Sequence, residues 1–221
     1  MKQIMNPSDQ ADYEERQKKH LAQGRLYELK LFSKHVDMLE QLDRVVDRPA
    51  EGGRKVLWQD YKAGSDVLCV GCRYGIEMLA MREMGFSPAR LIGIDLFPRS
   101  GEVRRADMHA LPLSDRSFDI VYSHHSLDHA LNPRLALAEL ARVSRPDAAW
   151  VFTVPFRDHG PEESVDFDSD GEIERLLLEA KGPSARTLYS LTVERGEDGF
   201  VRPADTWLPR HWMRELRIII Q

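Results

Sequence analysis

Between Asp66 and Pro155 short apolar runs alternate with longer stretches whose apolar residues recur every three to four positions. A short apolar run bounded by turn formers predicts a buried strand, and the 3.6-residue period predicts a helix with one buried side. Asp66 to Gly71 is thus expected as strand one, and Tyr74 to Met84 as a helix with Gly85 just past its end. Arg90 to Leu96 reads as strand two, Glu102 to Ala106 as a short strand three, and Ser117 to Ser123 as strand four. Pro133 to Val143 carries Leu135, Leu137, Leu140 and Val143 at helical spacing, and Ala148 to Pro155 reads as strand five. Strands alternating with helices predict a parallel sheet covered by helices on both faces.

The flanks are patterned differently. Residues 1–60 read as helical. Ala11 to Arg25 is highly charged, and from Leu26 the residues Leu29, Leu31, Phe32, Val36, Met38, Leu39, Leu42 and Val45 continue a helical stripe until Pro49, Gly52 and Gly53 stop it. This predicts an N-terminal helical cap (1–60) on a main domain (61–221). The cap either covers a sheet edge or face, or forms a lid over a substrate pocket. Val56, Leu57 and Trp58 are expected to pack before strand one. After Pro155 come an acid-rich loop (Asp158 to Asp170), a helix (Gly171 to Ala180), an alternating strand (Thr187 to Glu194), a loop to Asp205 and an apolar strand (Leu216 to Ile220). Two late strands with no helix between them predict an antiparallel hairpin on the sheet.

Composition narrows the function. The chain has 221 residues, 42% of them hydrophobic, which is enough for one domain with a core. A net charge of −5 gives no general attraction for nucleic acid or an anionic membrane, so neither is an expected partner. Met1 to Gln10 has no apolar core of a signal peptide, and no stretch approaches the roughly 18 apolar residues of a membrane span. The expectation is a soluble, cytoplasmic protein. Cys69 and Cys72 are its two cysteines, so disulfides are not expected to stabilise it. The pair forms C-x-x-C, but Cys69 falls inside a strand, alternation sends the two side chains different ways, and no second ligand pair for zinc accompanies them.

The chemistry-bearing residues fall in a fixed order. The glycine turn Gly71 to Gly75 separates strand one from a helix, the arrangement that presents backbone N–H groups to a cofactor. Asp95 ends strand two, twenty residues after Gly75, where a carboxylate can accept from both hydroxyls of a ribose. Asp107-Met108 follows strand three. Leu111 to Ser123 is followed by Leu127-Asp128-His129. All would lie at the C-terminal ends of strands, where open α/β sheets bind ligands.

With V-L-C-V-G-C-R-Y-G (67–75), I-G-I-D-L (92–96), D-M-H-A-L-P-L-S-D-R-S-F-D-I-V-Y-S (107–123) and S-L-D-H-A-L-N-P-R-L-A-L-A-E-L-A-R-V-S-R-P (126–146), the chain resembles the class I S-adenosylmethionine-dependent methyltransferases with small-molecule acceptors. The resemblance covers about 66–155. It implies a Rossmann-like three-layer α/β sandwich around a seven-stranded, mostly parallel sheet with one antiparallel strand. It implies S-adenosyl-L-methionine as cofactor, held by Gly71, Cys72, Arg73, Gly75, Asp95, Leu96, Asp107, Met108, Ser123 and His124. Gly71 and Gly75 would face the methionine moiety, Asp95 the ribose, Asp107 and the Met108 backbone the adenine, and Ser123 and His124 the sulfonium. Methyl transfer to a small-molecule or sugar-like acceptor, at oxygen or nitrogen, is the implied activity. The acceptor pocket would come from the cap, residues 124–133 and residues 156–170.

Two residues depart from the family pattern. Cys69 stands where an acid is usual, and Arg73 where a glycine is usual. Arg73 could pair with the methionine carboxylate or with Glu77, and Glu77 could replace the missing acid. The departures leave open a methyltransferase-like binding or regulatory protein without catalysis. A nicotinamide-dependent oxidoreductase is a third reading, although Gly71-x-x-x-Gly75 lacks the G-x-G-x-x-G spacing.

His124 or His125 is a candidate general base, because neutral imidazole can take a proton near pH 7; packing or capping is the alternative. His125 and His129 have the i, i+4 spacing of a metal pair but no third ligand in sequence. Asp166 to Gly171 opens like a calcium loop, but Leu177 stands where glutamate is needed, so the acids are expected at a helix N-terminus. Trp58, Trp150, Trp207 and Trp212 could stack an acceptor or simply pack. The oligomeric state is open.

Overall fold

The computed structural model describes residues 24–46, 50–51, 54–55, 58–156, 167–195, 201–203 and 213–221. The parallel core follows the apolar runs closely. Its strands are β1 (Val67–Val70), β2 (Leu91–Asp95), β3 (Val103–Arg105), β4 (Phe118–His124) and β5 (Ser144–Phe156). All four residues of β1 are buried, as a strand covered on both faces requires. Later strands are β6 (Thr187–Arg195), β7 (Val201–Pro203) and β8 (Met213–Ile220).

The sheet order is β3-β2-β1-β4-β5-β8-β6-β7. Strands β1 to β5 pair in parallel. β8 is antiparallel to both β5 and β6, which makes it the single reversed strand of the expected seven. The late hairpin is therefore not appended at the edge; its last strand inserts between β5 and β6. The short β7 adds an eighth strand, antiparallel to β6.

Helices form two layers. On one face α4 (Pro133–Val143) and α5 (Asp170–Lys181) bury Leu137, Leu140, Ile173 and Leu177 against Leu68, Val121, Phe152 and Ile218. On the other, α1 (Gly24–Val45) and α3 (Ile76–Glu83) bury Met38, Leu39, Leu42, Met78 and Met81 against Val67, Ile120, Tyr122 and Val151. Burial of several such side chains at about 2 kcal/mol each dominates what holds α1 down. Thus α1 shares the core layer of the sheet.

The helical stripe ends at Val45, shortly before the stop expected at Pro49, Gly52 and Gly53. Ala50–Glu51 and Arg54–Lys55 pair as short antiparallel strands. The helix α2 (Trp58–Gly64) spans residue 60, where the cap boundary was placed. Residues 1–23 and 56–57, most of 156–170, Trp207 and Trp212 lie outside the described residues. Trp150 is fully buried and its indole nitrogen donates to Ser144 Oγ, so it packs rather than stacks a ligand.

Helix ends follow local chemistry. Asn132 caps α4 by accepting from Leu135 N, with Pro133 at the first turn. Ser169 accepts from Glu172 N while Glu172 accepts from Asp168 N, so the acid run caps α5. After α3, Gly85 has φ +95°, the left-handed conformation that stops a helix.

Candidate functional site

Because β1 to β5 are parallel, the ends of four of them bring the motifs into one row. Gly71 follows β1, Asp95 ends β2, Asp107 follows β3 and His124 ends β4. β8 runs the other way, so its first residues reach the same edge: Glu215 lies opposite Pro155 near the end of β5.

The turn after β1 is built by its two glycines. Gly71 and Gly75 have φ of +72° and +74°, where a side chain is strained. Gly71 N donates to Ile94 O at 2.8 Å, tying the turn to β2. A Cβ on Gly71 would overlap Ser126 Oγ, which itself donates to Val70 O at 2.9 Å. On Gly75 the same atom would meet Val103 at ordinary contact distance. The turn leads from the end of β1 into the start of α3.

Asp95 is 9% exposed. Burial raises its carboxyl pKa, opposed by backbone N–H groups of Phe97 and Arg73 and by the Arg73 charge. Phe97 N donates to Oδ1 at 2.6 Å. Leu96 is half-buried beside it. Arg73 lies over the Tyr74 ring, 5.7 Å from its centroid. Asp107 Oδ1 accepts from His109 N at 2.9 Å and lies 2.7 Å from His109 Nδ1, while Asn132 N donates to His109 Nε2. Among the described residues Asp107 Oδ2 carries no hydrogen bond, so an acceptor remains for an exocyclic amine. Met108 packs half-buried on the core beneath. His109 went unnoticed in the sequence, although its place two residues after Asp107 was a usable signal.

Cys69 and Cys72 are buried free thiols. The turn at Gly71 defeats the simple alternation expected of them, and both sulfurs end in the α1/α3 layer. Burial raises both thiol pKa values well above the usual range, so neither supplies thiolate for redox chemistry. Glu77 enters the same layer from the first turn of α3. Burial pushes its carboxyl up to about 7, and its Oε1 lies 3.7 Å from His35 Nε2.

The histidines separate into different roles. His124 is 7% exposed, and neither ring nitrogen has a hydrogen bond among the described residues. Burial, with His125, His35 and Lys34 nearby, holds its pKa well below the usual value. His35, from α1, meets it edge-on with ring centroids 4.7 Å apart and bonds Tyr122 Oη through Nδ1 at 2.8 Å. Burial and Lys34 lower His35 to about 3. Both imidazoles are therefore neutral at ordinary pH.

His125 stacks on His124 with centroids 4.4 Å apart, but its side chain is 23% exposed. Its φ is +48°, a conformation uncommon for a side-chain-bearing residue. Its Nε2 is 2.9 Å from Glu215 Oε2. The fully buried Glu215 also takes Lys34 at 3.3 Å and two bonds from Arg217 at 3.0 and 2.7 Å. Burial pushes the Glu215 carboxyl up, but the His125 bond and the two cations outweigh it and hold it well below the usual range.

Sequence reading missed Glu215, Arg217, Lys34 and His35. The charges at 215 and 217, two apart on a strand that ends in three isoleucines, were the available signal. His129 lies in a short 3₁₀ turn with Nε2 3.5 Å from Asp128, apart from the carboxylate that His125 meets, so the i, i+4 pair does not converge on a metal. Among the described residues no three His, Cys, Asp or Glu side chains form a metal site.

Residues 68–152 match the family described as methyltransferase domain. The chain is 33% identical over 112 residues to the O-methyltransferase cnsE of Penicillium expansum, covering 43% of this chain and 40% of the relative. It is 34% identical over 130 residues to a malonyl-[acyl-carrier protein] O-methyltransferase of Halorhodospira halophila, covering 57% and 40%. The chain thus spans about two fifths of the length of these curated relatives. A SAM-dependent methyltransferase of Thermotoga maritima superposes with a TM-score of 0.55 at 14% identity, covering 87% of this chain and 91% of that one, which is a likeness of fold. Residues 68–152, which hold strands β1 to β5, thus resemble a methyltransferase domain in sequence, and the fold is like that of S-adenosylmethionine-dependent methyltransferases.

Proposed function

We propose that this chain transfers the methyl group of S-adenosylmethionine to a small-molecule acceptor, at oxygen or nitrogen. The observation that carries the reading is the single row formed by the Gly71 turn, Asp95, Asp107 and the His124–His125 pair at the C-terminal ends of β1 to β4. The residues present fit the cofactor. The glycine turn, left-handed at Gly71 and Gly75, lies at the C-terminal end of β1, where the methionine end would lie. The buried Asp95 carboxylate can accept from ribose hydroxyls, and Asp107 Oδ2 from the adenine amine. Glu77 supplies a half-buried carboxyl group on the helix that follows the turn, in the layer where Cys69 offers none. The bound cofactor supplies a methyl group already activated on a sulfonium.

The chain's own residues bind, orient and remove a proton. Of the two candidate bases, His125 suits the task better. It is partly exposed and backed by a carboxylate, whereas His124 is buried and disfavours a proton. His124 instead offers a neutral donor and acceptor beside it. The names of the O-methyltransferase relatives support an oxygen acceptor.

Calorimetric titration with S-adenosylmethionine, S-adenosylhomocysteine and NAD tests this reading. Micromolar binding of both sulfur compounds and none of NAD is expected. Asp95→Ala should weaken that binding by more than tenfold with an unchanged circular-dichroism spectrum, since a charge-assisted hydrogen bond contributes about 1.5–3 kcal/mol. Failure of folded wild-type protein to bind either compound would favour the reading as a non-catalytic relative that Cys69 and Arg73 motivate.

A further inference from the structure

The cluster around Glu215 goes beyond cofactor binding. It gathers Lys34 and His35 from α1, Glu77 from α3, Tyr122, His124 and His125 from β4 and its end, and Glu215 and Arg217 from β8. Glu215 is separated from His125 by 90 residues, yet its Oε2 lies 2.9 Å from the His125 ring. A carboxylate can only accept, so His125 Nε2 is the atom that carries hydrogen. In the neutral ring that leaves the Nδ1 lone pair bare. No hydrogen bond within the described residues occupies Nδ1, and the left-handed backbone at φ +48° holds this partly exposed ring over His124. Lys34 and Arg217 in turn pin the carboxylate, so the ring cannot turn without breaking a saturated buried ion cluster.

We propose that Glu215 is a positioning residue that fixes His125 with Nδ1 as the proton-accepting atom, and that the acceptor is a hydroxyl compound. The inference rests on the methyltransferase reading above and narrows its substrate class. A carboxylate acceptor has already lost its proton at neutral pH, and a neutral amine attacks through a free pair before any proton leaves. A hydroxyl is the acceptor whose attack a base must assist. In the step, the acceptor O–H bond breaks and its proton goes to Nδ1. The oxygen pair forms the new bond to the methyl carbon, and the carbon–sulfur pair stays with sulfur, leaving a methyl ether and the neutral thioether. The imidazolium that results is stabilised by Glu215. His124 and His35 remain neutral, so no second buried cation opposes it.

The test has two arms. The first is the ¹⁵N spectrum of histidine-labelled protein, with His125 assigned by comparison with His125→Asn. It needs no acceptor. The expected result is the Nε2–H tautomer in wild type, lost or mixed in Glu215→Gln. An Nδ1–H tautomer in wild type, or one unmoved in Glu215→Gln, overturns the positioning role. The wild-type measurement decides even if the variant does not fold.

The second arm follows S-adenosylhomocysteine formation with catechol, benzoate and benzylamine. Transfer to catechol alone is expected, with kcat about 10²-fold lower in Glu215→Gln and an unchanged KM for S-adenosylmethionine. Transfer to benzoate or benzylamine instead, or to none of the three, overturns the acceptor class. Absence of cofactor binding in wild type is a separate failure, that of the parent reading, and would leave the tautomer result intact.

Discussion

Gly71 and Gly75 share a left-handed backbone but not the same surroundings. Alanine at either position carries the left-handed penalty of about 1–2 kcal/mol. At Gly71 the new methyl also overlaps the buried Ser126, which is tied to Val70, whereas at Gly75 it has room. Gly71→Ala should therefore lower stability by about 2 kcal/mol or more and cofactor affinity by over tenfold, and Gly75→Ala by clearly less on both counts. Urea denaturation and calorimetry of the two variants check this; equal effects would mean that Ser126 does not set the constraint. These two residues, like Asp95 and Asp107, were legible in the sequence because each sits at a fixed distance from the strand it follows. Glu215 was not, because nothing in the alternation of β8 says which face of which neighbour it will meet.

Elements carry the next level. α1 read as an amphipathic stripe, but whether it was a detached lid or part of the body depended on packing. Its Leu39 and Leu42 are fully buried in the layer that contains Val67, Ile120 and Tyr122. Leu39→Ala should cost about 2–5 kcal/mol, measured by denaturation, as for other leucines in filled cores. A loss below about 1 kcal/mol would mark α1 as a loosely held cover. The same helix delivers Lys34 to Glu215 and His35 to His124, so its docking and the proposed proton-removing site are one structure. The pairing of 50–51 with 54–55 was hidden because strands of two residues are too short to show an alternation of apolar and polar positions.

For the whole molecule, the buried titratable groups set the response to acid. His35 and His124 have folded pKa values below the usual 6.5, so they stay neutral in the fold while the unfolded chain takes up protons. Their contribution is present above about pH 6.5 and is lost as pH falls, by about 1 kcal/mol per pH unit for each group. Glu77, raised to about 7, and the raised Asp95 act oppositely, because the folded state holds a proton that the unfolded state has released. Between pH 6.5 and 4.5 Glu77 offsets part of the loss from the two histidines. Below about 4.5 the unfolded carboxyls are protonated too, Glu215 with its depressed pKa adds to the loss, and stability should fall steeply. Denaturation at pH 7, 5.5 and 4 checks the shape, and His35→Gln should flatten the acid limb. What the sequence by itself determined was the order of strands and helices and the place of the glycine turn, Asp95 and Asp107 along them, since periodicity and turn chemistry act over a few residues. Only the tertiary structure decided that β8 slots in reversed between β5 and β6. That reversal brings a carboxylate from near the end of the chain to a histidine at the end of β4, through contacts between distant segments that local patterning does not encode.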